Sequence, residues 1–197
     1  MSDSPLFAIS PEALNALPVR RYEGAVNLVA SPAQLHAARL DALGERVLGF
    51  DTETRPAFRK GESHLPSIAQ VATAKAVHIL PLRDPDTHRL LAELLASSGI
   101  IKAGVALAGD LRALKQRFDF SERRVVDLGI VAKRSGYAQS GVRNLAGITL
   151  GYRIAKGAKT SNWAAARLSP AQIAYAATDA WVCRELFLQF ESAGLVN

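Results

Sequence analysis

Four carboxylates and one phenol in this chain have the residue types and spacing to do chemistry. Asp51 and Glu53 close the apolar run Val47-Leu48-Gly49-Phe50-Asp51-Thr52-Glu53. Asp110 ends the run Gly104-Val105-Ala106-Leu107-Ala108-Gly109-Asp110, and Tyr175 and Asp179 bracket Tyr175-Ala176-Ala177-Thr178-Asp179. If the first run is a strand, its period of two sends the Asp51 and Glu53 side chains to one face at the strand's end. Two anions so placed repel each other. They raise one another's pKa or require a counter-ion, and for an oxygen-only cluster that counter-ion is ordinarily Mg²⁺ or Mn²⁺. Tyr175 and Asp179 are four residues apart and share one face of a helix. That face is otherwise mostly apolar, so Asp179 is costly to place there unless it is paired or ligates metal. Each acid alone would be an ordinary cap or turn residue; the ordered set is what carries the reading.

The elements that must position these groups follow a mixed α/β order. Residues 1–25, with Pro5, Pro11 and Pro18, form an extended or partly helical lead-in, and 26–30 reads as a short strand. Ser31-Pro32 is an N-cap followed by proline at the first helical position, opening a helix toward Leu43. The apolar runs 47–53, 68–74 and 76–82 are short enough to be strands and are expected to form a meander. Helical spacing over 86–97 precedes a strand at 100–105, a helix at 107–118 and a short last strand at 125–128. Helices are expected at 129–134 and 142–150, and a final one opens at Ser169-Pro170 and runs to about Ser192, ahead of Gly194.

Composition bounds the rest. With 197 residues and 49% hydrophobic content the chain suits one domain with one well-buried core. A formal charge of +6 is compatible with a polyanionic partner. Cys183 is the only cysteine, which excludes an internal disulfide framework and a Cys-rich zinc site and suits a reducing cytosol. Neither a signal-like N-terminus nor an apolar run of membrane-spanning length is seen, so a soluble cytoplasmic protein with no membrane partner is expected.

The three acidic motifs together resemble those of the DEDD-type 3′-to-5′ exonucleases of the tyrosine subclass, the group that includes ribonuclease D and the exonuclease domain of the Werner syndrome helicase. Asp51-Thr52-Glu53 matches the first exonuclease motif, 104–110 the second and 175–179 the third. Thr160-Ser161-Asn162-Trp163 and Leu168-Ser169-Pro170-Ala171-Gln172 are especially similar to the Werner-type branch, from which Leu111 departs. The resemblance covers about Val26 to Leu195 and lacks the helical nucleic-acid-binding domains that follow in ribonuclease D, so the chain resembles a stand-alone exonuclease domain at 26–197. It implies a ribonuclease H-like fold, a central mixed sheet flanked by helices. It implies two Mg²⁺ or Mn²⁺ ions held by Asp51, Glu53, Asp110 and Asp179, with Asp51 bridging, Glu53 and Asp179 completing the shell of the water-activating ion and Asp110 serving the second. Tyr175 would orient the attacking water, since a phenol with pKa near 10 is a poor base at neutral pH. The implied reaction removes nucleotides from the 3′ end of DNA or RNA. The alternative is a catalytically weak nucleic-acid-binding module that keeps the fold, although an inactive descendant would be expected to lose a ligand and all five residues are present.

Candidate nucleic-acid contacts sort around these motifs. Thr52 sits between two acids and either meets the terminal nucleotide through its backbone or simply fills the strand. Arg55, Arg59 and Lys60 follow the first motif in a loop, and Lys156 and Lys159 flank Gly157, whose missing side chain lets their loop approach a strand closely. Trp163 either stacks on a base or packs against the last helix, with packing the expectation. His64 either contacts phosphate or is merely exposed, His36, His78 and His88 lack ligand spacing, and Cys183 reads as core.

Overall fold

The computed structural model describes residues 7–59, 61–157 and 161–196. A lead helix α1 (Pro11–Ala16) and strand β1 (Val19–Arg20) precede β2 (Ala25–Leu28), α2 (Pro32–Leu43), β3 (Val47–Glu53), β4 (Ile68–Ala72) and β5 (Ala76–Pro81). There follow α3 (Pro85–Ala96), β6 (Ile101–Gly104), α4 (Leu107–Leu114), β7 (Val125–Asp127), α5 (Leu128–Arg134) and α6 (Val142–Leu145). A π-helical turn (Ala146–Leu150), β8 (Arg153–Ile154) and α7 (Pro170–Ser192) complete the order. Among the described residues no helix is long and apolar enough to cross a membrane.

Six strands form one mixed sheet in the order β2-β5-β4-β3-β6-β7. β3, β4 and β5 are the expected antiparallel meander, with Asp51 opposite Gln70 and Glu53 opposite Ile68. β2 pairs with β5, β3 with β6 and β6 with β7 in parallel. Alternation along β3 sorts its side chains between two helical layers. Leu48 and Phe50 enter a core with Ala38 and Ala42 of α2, Leu91 and Leu94 of α3 and Leu107, Leu111 and Leu114 of α4. Val47 enters a second core with Val182, Leu186 and Phe187 of α7. Gly49 allows the closest approach between layers: a Cβ there would stand 1.9 Å from the Ala180 carbonyl oxygen of α7. The odd positions of β3, including Asp51 and Glu53, therefore face the final helix.

That helix is fixed at both ends by its own sequence. Ser169 and Gln172 close a capping box, with Pro170 at the first helical position. Gly194 at φ +71° lets the Leu195 N–H reach the Phe190 carbonyl and the Gly194 N–H reach that of Glu191.

Several boundaries differ from expectation. The helix expected over 107–118 stops at Leu114, and Phe118 folds back onto the His88 and Phe120 rings. The segment 142–150 is four residues of α-helix followed by the π turn. Gly147 in that turn lies against Leu14, Ile9 and Leu17 of the lead segment. β1 and β8 pair in parallel as a separate two-stranded sheet, a contact between residues too far apart in sequence for local patterning to reveal.

Candidate active site

The three carboxylates brought together are Asp51, Glu53 and Asp179, each offering an oxygen within 4.8 Å of the others. β3 delivers the first two on the face turned toward α7, and α7 delivers Asp179 one residue before Ala180, which lies against Gly49. Glu53 and Asp179 are buried and Asp51 is half-buried. Burial, then the neighbouring charges of Asp179, Glu53 and Asp110, push the Asp51 carboxyl well above the usual carboxylate range. Burial raises Asp179 to about 6, partly offset by the hydrogen bond that the Tyr175 hydroxyl donates to it. The same burial, with Asp179 and Glu53 close by, raises the Tyr175 phenol, so it stays protonated at neutral pH.

Asp110 reaches the cluster from the other helical layer. It sits half-buried in the first turn of α4, accepts a 2.5 Å hydrogen bond from the Thr52 hydroxyl and is close enough to Asp51 to raise its pKa. Burial raises Asp110 itself, and the Thr52 bond opposes that rise. The Thr52 side chain is thus committed to holding an acid rather than being strand filler.

The start of α4 has a support that sequence reasoning missed. Ala106 adopts the left-handed conformation, φ 60°, and offers no side-chain cap. Asp127, at the end of β7, instead accepts hydrogen bonds from the Ala106 and Leu107 N–H groups while capping α5 through Gly129 and Ile130. An aspartate between a strand and a helix signals the local cap; its second tie, about twenty residues back, has no local signature.

Tyr175 is held by its surroundings. The Trp163 ring lies 6.0 Å away, and Trp163 is buried with Ile68, Ile79 and Ala176, so it packs against α7 as expected. On another side, a Cβ at Gly157 would stand 1.9 Å from the Tyr175 ring. Only glycine fits at this distance from the ring.

The basic candidates gather less tightly. Arg55 is 3.5 Å from Glu62, whose carboxylate also accepts the Phe58 and Arg59 backbone N–H groups and lies 2.9 Å from His64. His64 is half-buried in that arrangement rather than exposed, while the Arg59 side chain is exposed. The same fold presents Phe58 at 84% exposure, an aromatic that no motif singled out. Lys156 is exposed beside Gly157, and Lys60 and Lys159 lie outside the described residues. The remaining histidines are structural where their partners are seen: His78 lies 2.8 Å from Asp41 and His88 bonds the Leu82 carbonyl. Cys183 is buried in the core beside α7's other apolar residues.

Comparison with known proteins bears on this geometry. Residues 26–194 match the family model described as 3'-5' exonuclease. The chain is 31% identical over 144 residues to ribonuclease D of Haemophilus influenzae, covering 71% of this chain and 35% of that protein, so it spans about a third of the relative's length. The Aedes aegypti Nibbler EXO domain superposes with a TM-score of 0.77 at 23% identity, covering 90% of this chain and 92% of that one. Trypanosoma brucei RNase D in complex with RNA U12 superposes at 0.73 with 19% identity, covering 86% and 62%. Both share the ribonuclease H-like architecture, a mixed sheet flanked by helices.

Proposed function

The chain belongs to the 3′-5′ exonuclease family, and from that premise we propose that it hydrolyses the 3′-terminal phosphodiester of a nucleic-acid strand by a two-metal mechanism. One observation carries the reading: Asp51, Glu53 and Asp179 converge within 4.8 Å beside a hydroxyl that hydrogen-bonds one of them. The donor set fits Mg²⁺ or Mn²⁺. It is all oxygen, and the carboxylates of Asp179, Glu53 and Asp110 set like charge around Asp51. Asp51, Glu53 and Asp179 would hold one ion, and Asp51 with Asp110 the other. Bound there, such ions lower the pKa of water and neutralise charge growing on the leaving 3′ oxygen.

The chain's own residues supply position. Asp51 stands between the acids of the two helical layers. Thr52 aims Asp110 inward, and the Asp127 tie keeps the start of α4 in register with the strand end. The Tyr175 hydroxyl, protonated and fixed against Trp163 and Gly157, orients the attacking water and does not take its proton. Tyr175→Phe is accordingly expected to cost about 10²-fold in single-turnover rate while strand binding persists. An unchanged rate would remove the orienting role and leave the acids in theirs.

The strand is one with a free 3′ end, acted on in the cytoplasm, and RNA is the first to offer because a ribonuclease D of the same fold was solved with RNA. The test is the product ladder. Strands carrying a 5′ label, as RNA and as DNA, are expected to shorten one nucleotide at a time. Release of the 5′ label as first product, or internal cutting, would contradict the reading.

A further inference from the structure

The segment ahead of the family-matched domain is fastened to residues 137–153 and, at its end, to the helix that carries Asp179. Phe7 stacks on Tyr137 with ring centroids 4.6 Å apart, and the Ile9 backbone exchanges hydrogen bonds with the Gln139 side chain. Arg143 bonds Asn15, and Arg153 bonds the Leu17 carbonyl. At the segment's end the Tyr22 N–H donates to the Thr178 hydroxyl at 3.1 Å, next in sequence to Asp179, and the Tyr22 ring lies 5.8 Å from that of Trp181.

Between these ties the chain presents Arg20 and Arg21, both exposed. They line a cavity of about 260 Å³ whose other walls include Gly157, Tyr175, Thr178 and Asp179. The same two arginines line a second hollow of about 750 Å³ whose walls include Tyr22, Glu23 and, from α7, Trp181. Many arginines here are spent on the fold: Arg39, Arg46, Arg89 and Arg184 pair with carboxylates. Arg20 lies over the Tyr152 ring, 5.6 Å from its centroid, and among the described residues neither the Arg20 nor the Arg21 side chain has an ion-pair or hydrogen-bond partner.

The geometry points to a phosphate-binding track in which Arg20 and Arg21 take the sugar-phosphate backbone of the substrate strand where it leaves the site at Tyr175 and Asp179. This rests on the exonuclease reading and adds to it the residues that hold the strand. Charge complementarity decides the occupant: two guanidinium groups with unspent donors face a hollow that shares walls with the site, and successive phosphates of one strand satisfy both. The contacts are to backbone, so they are indifferent to sequence.

The test is equilibrium binding of a 5′-labelled single strand by fluorescence anisotropy in chelator, over a series of salt concentrations, with shortening by the wild type in Mn²⁺ followed in parallel. Arg20→Ala with Arg21→Ala is expected to weaken binding about tenfold at low salt and to reduce the slope of log affinity on log salt by about 1.4, the share of two phosphates on a single strand. Arg20→Lys with Arg21→Lys keeps the charge and is expected to restore most of the slope. A wild type that shortens the strand while the alanine pair binds with unchanged affinity and slope overturns this track and leaves the exonuclease reading standing. A lysine pair as weak and as flat as the alanine pair overturns the phosphate assignment. A wild type that fails to shorten any strand overturns the exonuclease reading, and the track with it.

Discussion

Asp51→Asn is expected to bring single-turnover shortening of a 5′-labelled strand to background, about 10⁴-fold or more below wild type, while the protein stays folded. The side chains have nearly the same shape, so the change removes charge rather than volume. Asp51 feels the charges of Asp179, Glu53 and Asp110, and in the proposed mechanism it would serve both ion positions. The folded protein should not suffer. Asp179, Glu53 and Asp110 raise the pKa of Asp51, so the metal-free wild type carries a cost of ionising this residue that the amide lacks. Thermal melting in chelator at pH 8 is expected to show the variant at least as stable as wild type. A variant that is both inactive and markedly less stable would make Asp51 a structural residue.

Removing divalent metal is expected to stop shortening completely, and Mg²⁺ or Mn²⁺ to restore it, because in the proposed mechanism the ions activate the water. The phenol is held protonated and Asp179 is bonded to it. The metal-free protein should also show the cluster's cost as a pH dependence of stability. Asp179 has a folded pKa near 6 against an ordinary value of 3.8, so the folded state keeps its proton longer than the unfolded chain does. Its stabilising contribution is full below about pH 4 and is lost as pH rises through 6, a change on the order of 3 kcal/mol for Asp179. Melting temperatures between pH 4 and 8 in chelator should carry this fall, and bound Mn²⁺ should reverse it at the upper end. A metal-free stability that rises between pH 5 and 7 would mean that the acids are compensated from within the protein.

Much of the site was legible in the sequence because its geometry is periodic. Asp51 and Glu53 are two apart on a strand, and Tyr175 and Asp179 four apart on a helix, so each pair falls on one face by backbone geometry alone. The meander and the ends of α7 were legible for the same kind of reason, through short apolar runs and local capping chemistry. Contacts between distant residues were not. Thr52 bonding Asp110, Asp127 bonding the Ala106 N–H, Gly157 against Tyr175 and Arg20 near Asp179 join residues separated by twenty to one hundred and sixty positions or so, and no spacing rule reaches across them. The end of α4 at Leu114 was missed because the apolar pattern continues to Phe118, whose ring packs on His88 from outside the helix. Phe58 escaped notice because a single aromatic in a polar loop carries no period, and its exposure follows from the way Glu62 gathers the loop's N–H groups.

The central claim is that the Asp51 cluster holds the ions that do the chemistry, and Mn²⁺ binding tests it most directly. Equilibrium titration followed by electron paramagnetic resonance, on wild type and Asp51→Asn side by side with strand present, is expected to show two ions per wild-type chain and clear loss of Mn²⁺ from the variant. Equal stoichiometry and affinity in the two proteins would contradict the account, whatever the activity of either.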